Sequence, residues 1–275
     1  MISFVGTGPG APDLLTLRGA ERLAAAQIVV WASSLVPEAV LGHCPGDVVV
    51  HDSAVMTLED VLAVFAGAPD TARIVRLHSG DPGVYGAIQE QLDWCRANGR
   101  SVEVVPGVTS VAAAAATLGR ELTVPGLSQS VVLTRLAGRT AASMRPGEGV
   151  AAFARAGVTM AVFLSGARPE ELQGELLAPG SGYDGSTPAA VVVRVSWPDE
   201  RVVATTVGGL AAAIRATGAT RTVLVLVGDA LADAPVPARS HLYSPGHSTT
   251  FRLRSAPGTT SGRPSRVGRP TGGNG

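Results

Sequence analysis

Short β-branched runs separated by alanine-rich amphipathic stretches recur from the first residues of the chain, and this alternation limits its fold more than any other feature. Residues 2–6, 27–31, 47–51, 73–78 and 101–105 are short, apolar and bounded by turn residues, which predicts strands. Between them, Thr57-Leu58-Glu59-Asp60 matches a capping box, and Leu58, Val61, Leu62 and Phe65 share one face behind it. Val84, Ile88, Leu92 and Cys95 make a second helical stripe that stops near Asn98-Gly99, a favourable C-cap pair. Such alternation predicts a mostly parallel sheet covered on both faces.

Past the Pro125-Gly126 break the pattern resumes. Residues 131–134, 159–165, 189–195, 201–206 and 222–227 read as five more strands, with helices at 149–156, 169–177 and 208–216. Trp197-Pro198-Asp199-Glu200 between two of these strands predicts a hairpin turn, and therefore a mixed second sheet. The expected architecture is α/β: two α/β domains, residues 1–120 with a glycine loop and residues 121–230, with a ligand cleft between them. Residues 231–275 differ in kind, because Gly, Pro, Ser and Thr fill 24 of 45 positions and six Arg face one acid. Too little apolar surface is present to offset ordering entropy, which predicts a largely disordered tail, at least beyond Ser255.

Composition removes several function classes. Acidic and basic residues tie at 22 each, so no overall basic field recruits nucleic acid. Every basic residue is arginine, and without lysine there is no Schiff-base catalysis, pyridoxal-phosphate anchor or Walker loop. Cys44 and Cys95 stand far apart without a CxxC or Cys/His cluster, which argues against a metal site or disulfide framework and for a reducing, cytoplasmic setting. The chain starts directly with an apolar run and no charged n-region, so no signal peptide is expected. Polar residues, Gly or Pro interrupt each apolar stretch before a membrane span is reached, so no membrane partner is expected.

Three loops at strand ends carry the candidate chemistry. The first, Gly6-Thr7-Gly8-Pro9-Gly10-Ala11-Pro12-Asp13, superficially fits a dinucleotide fingerprint. Pro9 and Pro12 restrict the backbone where the helix should already have begun, and Asp13 reads as the N-cap of a helix from Leu14. The second strand also ends Trp31-Ala32-Ser33-Ser34, without the acid that would hold ribose hydroxyls. Alone, the loop fits an ordinary strand-to-helix turn as well as a ligand loop that removes side chains near a bound group. The second loop, His78-Ser79-Gly80-Asp81-Pro82-Gly83-Val84-Tyr85-Gly86-Ala87, offers a carboxylate suited to a cationic ligand. The hydroxyls of the third, Pro106-Gly107-Val108-Thr109-Ser110, either cap the following helix or touch a ligand.

Taken together, these three loops resemble the motifs of the tetrapyrrole methylase superfamily, over about residues 1–230. Corrin-ring methyltransferases and uroporphyrinogen-III methyltransferase are both members. Residues 31–36, 78–91, 121–125, Leu133-Thr134-Arg135 with Gly138-Arg139-Thr140, 197–200 and 241–245 resemble the corrin-ring branch. The resemblance implies S-adenosylmethionine as cofactor in a cleft between two α/β domains, a tetrapyrrole substrate and a homodimer. By position it implies that Pro9, Gly80, Asp81, Val84, Thr109, Ser110, Leu164 and Val195 line the cofactor pocket, and that Gly8 lies against the substrate. Val195 stands where relatives often carry Gly or Ala, and Ala141 where proline is expected.

Methyl transfer from a sulfonium needs positioning rather than a nucleophilic residue, so the lack of a triad does not argue against an enzyme. Asp81 and Tyr85 are the catalytic candidates, for electrostatic or proton-handling roles, with Tyr85 alternatively a helix residue packed over the cleft. Arg135 and Arg139 are nominated for substrate binding, because guanidinium groups pair bidentately with rim carboxylates. Arg76 reads as a structural ion-pair partner, His78 as a hydrogen-bonded strand-end histidine or a proton shuttle, and Glu90 and Gln91 as solvent-facing. Two other classes remain open: a nicotinamide-dependent oxidoreductase using the glycine loop, and an RNA-modifying relative using the basic tail.

Overall fold

Strand β1 (Ile2–Gly6) is buried along its whole length, as a strand covered on both faces must be. A computed structural model describes residues 1–137, 142, 144–235 and 238–265 of the chain. In it β1 lies between β4 (Ile74–His78) and β5 (Val102–Val105), while β2 (Ile28–Trp31) and β3 (Val49–Asp52) extend the sheet on the β4 side. The order is β3-β2-β4-β1-β5 and every pairing is parallel.

Consecutive residues of a strand point to opposite faces, and the two cores of this sheet follow that rule. Phe4, Val30 and Ile74 meet Phe65 of α2 (Leu58–Gly67) and Leu92 and Cys95 of α3 (Gln89–Ala97). Val5, Val29 and Leu77 pack on the other side against Leu23 of α1 (Leu17–Ala24). The capping box at α2 is formed in both directions: the Asp60 N–H donates to Thr57 Oγ1 at 3.2 Å and the Thr57 N–H donates to Asp60 Oδ2 at 2.9 Å.

Two helix starts differ from expectation. Asp13 is not an N-cap; it sits inside a 3-10 turn, Pro12–Leu14, and Leu15 behind it is extended. The helix begins at Leu17 instead, capped by Thr16, whose hydroxyl accepts from the Gly19 N–H at 3.1 Å. Likewise Val84 is not helical. Tyr85 and Ala87 adopt left-handed φ values of 56° and 49°, which a right-handed helix cannot contain, so α3 starts at Gln89.

After β5, helix α4 (Ser110–Leu118) crosses to the second sheet, where Val111, Ala113 and Ala114 pack on Ala161, Val192 and Leu224. That sheet contains β6 (Val131–Arg135), β7 (Thr159–Phe163), β8 (Pro188–Val193), β9 (Arg201–Thr206) and β10 (Val223–Val227), in the order β6-β7-β10-β8-β9. Only β6 and β7 are parallel; the other neighbours are antiparallel, so the sheet is mixed. Its far face is covered by α5 (Val150–Ala154), α6 (Pro169–Leu176) and α7 (Leu210–Thr217), through buried Leu172, Leu176, Leu210 and Ile214.

In the tail, β11 (Arg252–Leu253) pairs antiparallel with β12 (Arg263–Pro264), where composition predicted no order past Ser255. The Arg252 guanidinium donates to the carbonyls of Leu242, Ser244 and His247, gathering the segment before Ser255, and the Ser265 N–H donates to the Phe251 carbonyl at 2.9 Å. No helix among the described residues is long and apolar enough to cross a membrane.

Candidate active site

Strands β4, β1 and β5 are neighbours, so the three Gly/Pro loops that follow them emerge side by side at the carboxyl edge of the sheet. Backbone bonds join them. The Gly8 N–H donates to the Gly80 carbonyl at 3.3 Å and the Gly80 N–H returns to the Gly8 carbonyl at 2.7 Å. Asp81 ties the second loop to the third, since Oδ2 accepts from the Gly107 N–H at 2.8 Å while Oδ1 accepts from the Gly83 N–H at 2.7 Å. Gly107 fits this seam only without a side chain: a Cβ there would stand 2.1 Å from the Gly80 carbonyl oxygen.

The carboxyl edge of the first sheet, the start of α4 and one face of the second sheet enclose a cleft of about 420 Å3, within the size range of small-molecule sites. Pro9, Gly80, Asp81 and Val84 line it from the first unit, and Thr109 and Ser110 from the start of α4. Thr109 is both a cap and a wall, for its Oγ1 accepts from the Ala112 N–H at 3.2 Å. Leu164 and Val195 line the cleft from the second unit. Gly8 sits directly behind this wall through its bridge to Gly80.

Tyr85 also faces the cleft, half exposed, with its ring 5.1 Å from that of Phe163. Burial raises its hydroxyl pKa above the ordinary tyrosine value; Arg135 opposes that shift and Glu148 adds to it. Arg135 is the register partner of Phe163, so it stands at the same mouth. Arg139 and Ala141 lie outside the described residues.

All six non-glycine residues with positive φ among the described residues are at this cleft or beside it. Tyr85, Leu164 and Thr222 line it, Arg194 and Ser196 flank Val195, and Ala87 follows Tyr85 by two positions. Such conformations cost about 1–3 kcal/mol each and persist only where the surroundings enforce them, which is typical of functional sites.

Two expectations about nearby polar residues are corrected, for Arg76 and Gln91. Arg76 has no carboxylate partner among the described residues; its guanidinium donates to the Val30 carbonyl, the Ser53 hydroxyl and the Leu77 carbonyl, and burial lowers its pKa to about 10. Gln91 is only 5% exposed and donates to the Ala87 carbonyl at 3.1 Å, because α3 turns it under the Tyr85 loop; Glu90 is exposed. His78 is buried, and burial, then the Arg76 charge, push its pKa down to about 3 against the opposing bond to the Gly86 carbonyl. Buried and outside the cleft lining, it fits the strand-end reading better than that of a proton shuttle.

Sequence reading missed Leu35, Phe163, Gly166 and the run Thr220-Arg221-Thr222, all of which line the cleft. The last run holds no Gly or Pro of its own, although Gly218 ends the helix before it, and no motif marks the others. Only the unexplained polar break before the apolar run of β10 could have drawn attention to it.

The chain belongs to the tetrapyrrole methylase family: residues 1–211 match the family described as Tetrapyrrole (Corrin/Porphyrin) Methylases. More specific likenesses exist within it. A precorrin-4 C(11)-methyltransferase of Rhodococcus erythropolis is 42% identical over 88% of this chain and 96% of its own length. The X-ray structure of a cobalt precorrin-4 methyltransferase of cobalamin biosynthesis superposes with a TM-score of 0.79 at 38% identity, covering 84% of this chain and 95% of that one. A uroporphyrin-III C-methyltransferase from Thermus thermophilus, complexed with S-adenosyl homocysteine, has a TM-score of 0.66 at 30% identity over 84% of this chain and 98% of that one.

Proposed function

We propose that this protein transfers a methyl group from S-adenosylmethionine to C11 of precorrin-4, free of metal or loaded with cobalt, in the biosynthesis of cobalamin. One observation carries the reading: three linked loops of a parallel sheet and a face of a mixed sheet converge on a single cleft. Relatives that resemble this chain over nearly its full length bear that activity in their names.

The cleft fits the cofactor. Its walls of Pro9, Val84, Leu164 and Val195 are apolar enough for an adenosyl group, Thr109 and Ser110 supply hydroxyls, and Asp81 supplies a carboxylate for a cationic sulfur. Gly107 brings backbone close where a side chain would intrude, and Gly80 takes a left-handed φ of 66°. When bound, S-adenosylmethionine supplies an activated methyl group, so the protein's task is to hold the accepting carbon at near-attack distance.

Asp81 acts here mainly by position. Both of its oxygens already accept backbone N–H groups, which fixes the loop and holds negative charge at the cleft. Tyr85 stands at the mouth as the group able to hold or pass a proton, and Arg135 beside it, with Arg139, binds carboxylates on the macrocycle rim. Gly8 backs the wall on which the ring rests. Family resemblance adds a homodimer working in the cytoplasm.

Incubating purified protein and S-adenosylmethionine with precorrin-4, metal-free or cobalt-loaded, and weighing the products by mass spectrometry tests this reading. One added methyl group, located at C11 by NMR, is expected. Methylation of uroporphyrinogen III but of neither precorrin-4 form would move the chain to another branch of the family.

A further inference from the structure

The hairpin turn between β8 and β9 belongs to the second sheet, yet it is bonded to the glycine loop after β1. The Trp197 indole N–H donates to the Pro9 carbonyl at 2.9 Å, and Ser196 Oγ accepts from the Ala11 N–H at 2.9 Å. Between those two bonds Gly10 lies flat on the indole. A Cβ at Gly10 would stand 2.2 Å from Trp197 Cδ1 and 2.5 Å from Nε1, so the loop reaches the ring only because it carries no side chain there.

The turn is itself braced from behind. The Arg194 guanidinium lies 4.0 Å from the centroid of the indole ring, and its Nε donates to Asp199 Oδ1 at 2.7 Å. Glu200 Oε2 accepts from the Ser196 N–H at 2.5 Å and from the Thr117 hydroxyl of α4 at 3.4 Å. The Arg194 N–H donates to the carbonyl of Thr222, a cleft residue. Arg194 and Ser196 hold left-handed φ values of 50° and 63°, and this pair of reversals sends Val195 and Trp197 to their separate tasks. Val195 lines the cleft from the second unit while Trp197 holds Pro9, which lines it from the first.

We infer that Trp197 is a positioning residue for the methyl-donor pocket: a latch from the second unit that sets the glycine loop, and with it Pro9, at the distance from Val195 that the bound donor requires. The inference rests on the proposed function, since it concerns the pocket that reading assigns to S-adenosylmethionine. Trp197 touches no reacting atom; its effect passes through Pro9 and Gly10.

Three full-length variants test it, with S-adenosyl homocysteine affinity by calorimetry, kcat and KM for S-adenosylmethionine, and Tm measured on each. Trp197→Phe keeps a ring over Gly10 and under Arg194 but removes the N–H. It is expected to weaken binding about 5- to 10-fold and raise KM in step, with kcat and Tm close to wild type. Gly10→Ala drives a Cβ into the ring and is expected to weaken binding roughly 100-fold. The pair Gly10→Ala with Trp197→Ala removes the collision and is expected to bind about tenfold tighter than Gly10→Ala alone, which assigns the loss to the Gly10–Trp197 contact. Wild-type affinity in Trp197→Phe, or no recovery in the pair, overturns the latch while leaving the functional reading intact. Failure of the wild-type protein itself to bind S-adenosyl homocysteine would overturn both, and that result is read before any variant is made.

Discussion

Replacing Gly107 by alanine should damage the enzyme far more than its size suggests. The added Cβ would lie 2.1 Å from the Gly80 carbonyl oxygen and 2.8 Å from the Gly6 Cα. A carbon–oxygen contact relaxes only near ~3.3 Å, so the seam between the second and third loops must open by about 1 Å. Every obstructing atom is backbone, in strands or loops that are themselves hydrogen bonded, so none can swing aside as a side-chain tip would. Overpacking of this kind costs about 1–3 kcal/mol, which lowers Tm by several degrees in a chain of this size. The opening also stretches the bond from the Gly107 N–H to Asp81 and displaces cleft-lining residues by a distance that costs about 100-fold in rate when reacting groups must be aligned. Single-turnover methyl transfer, calorimetric titration with S-adenosyl homocysteine and thermal denaturation would measure the three effects. Gly46→Ala is the control, because nothing lies within 4 Å of its Cβ position. If Gly107→Ala kept wild-type kcat/KM and affinity, the loops would not be the rigid frame of the site.

Asp81→Asn retains one acceptor oxygen but turns an amide NH2 toward a backbone N–H, so one of the two loop ties is lost. Cofactor affinity should fall about tenfold, in line with a charged hydrogen bond worth ~1.5 kcal/mol, while exposed Asp93→Asn leaves it unchanged; a drop in kcat at unaltered affinity and Tm would instead make Asp81 a proton acceptor. His78 predicts an acid sensitivity. Its folded pKa of about 3 lies below the unfolded value near 6.5, so between those limits the unfolded state binds the extra proton and stability declines as pH falls from about 6.5 toward about 3. Urea titrations of His78→Asn, which keeps a donor for the Gly86 carbonyl, should show a shallower decline over that window, and an identical slope would exclude His78 as its source.

The two sheets were legible because buried strands must be continuous apolar runs, and residues such as Val29, Val75 and Val225 have no other use. Loop positions were legible where glycine and proline punctuate them. What could not be read is where ordinary residues take uncommon backbone shapes. The helix expected to include Val84 fails at Tyr85 and Ala87, and the strands expected to run through residues 165 and 195 stop at Phe163 and Val193, one residue short of left-handed Leu164 and Arg194. Propensity speaks for the common conformations of Tyr, Leu and Arg, so contacts distant in sequence must impose the rare ones, such as the Tyr85 ring on Phe163 and the Arg194 N–H on the Thr222 carbonyl.

These overruns share one cause, and it bears on how the site works. A reaction that arrives with its electrophile already activated asks for no reactive side chain, only for walls that do not yield. Loops relaxed into common conformations would move until the donor and acceptor were held loosely. Enforced left-handed residues on both sides of the cleft, locked by Asp81 on one side and by the braced Trp197 turn on the other, remove that freedom before any ligand binds. The strain of each such residue is met by the apolar cores behind the two sheets, where Phe4, Phe65, Leu172 and Leu210 are fully buried. The misread segments are therefore where local preference has been overridden to shape the pocket, and the same override explains why its most consequential positions include glycines such as Gly10 and Gly107, whose contribution is the absence of a side chain.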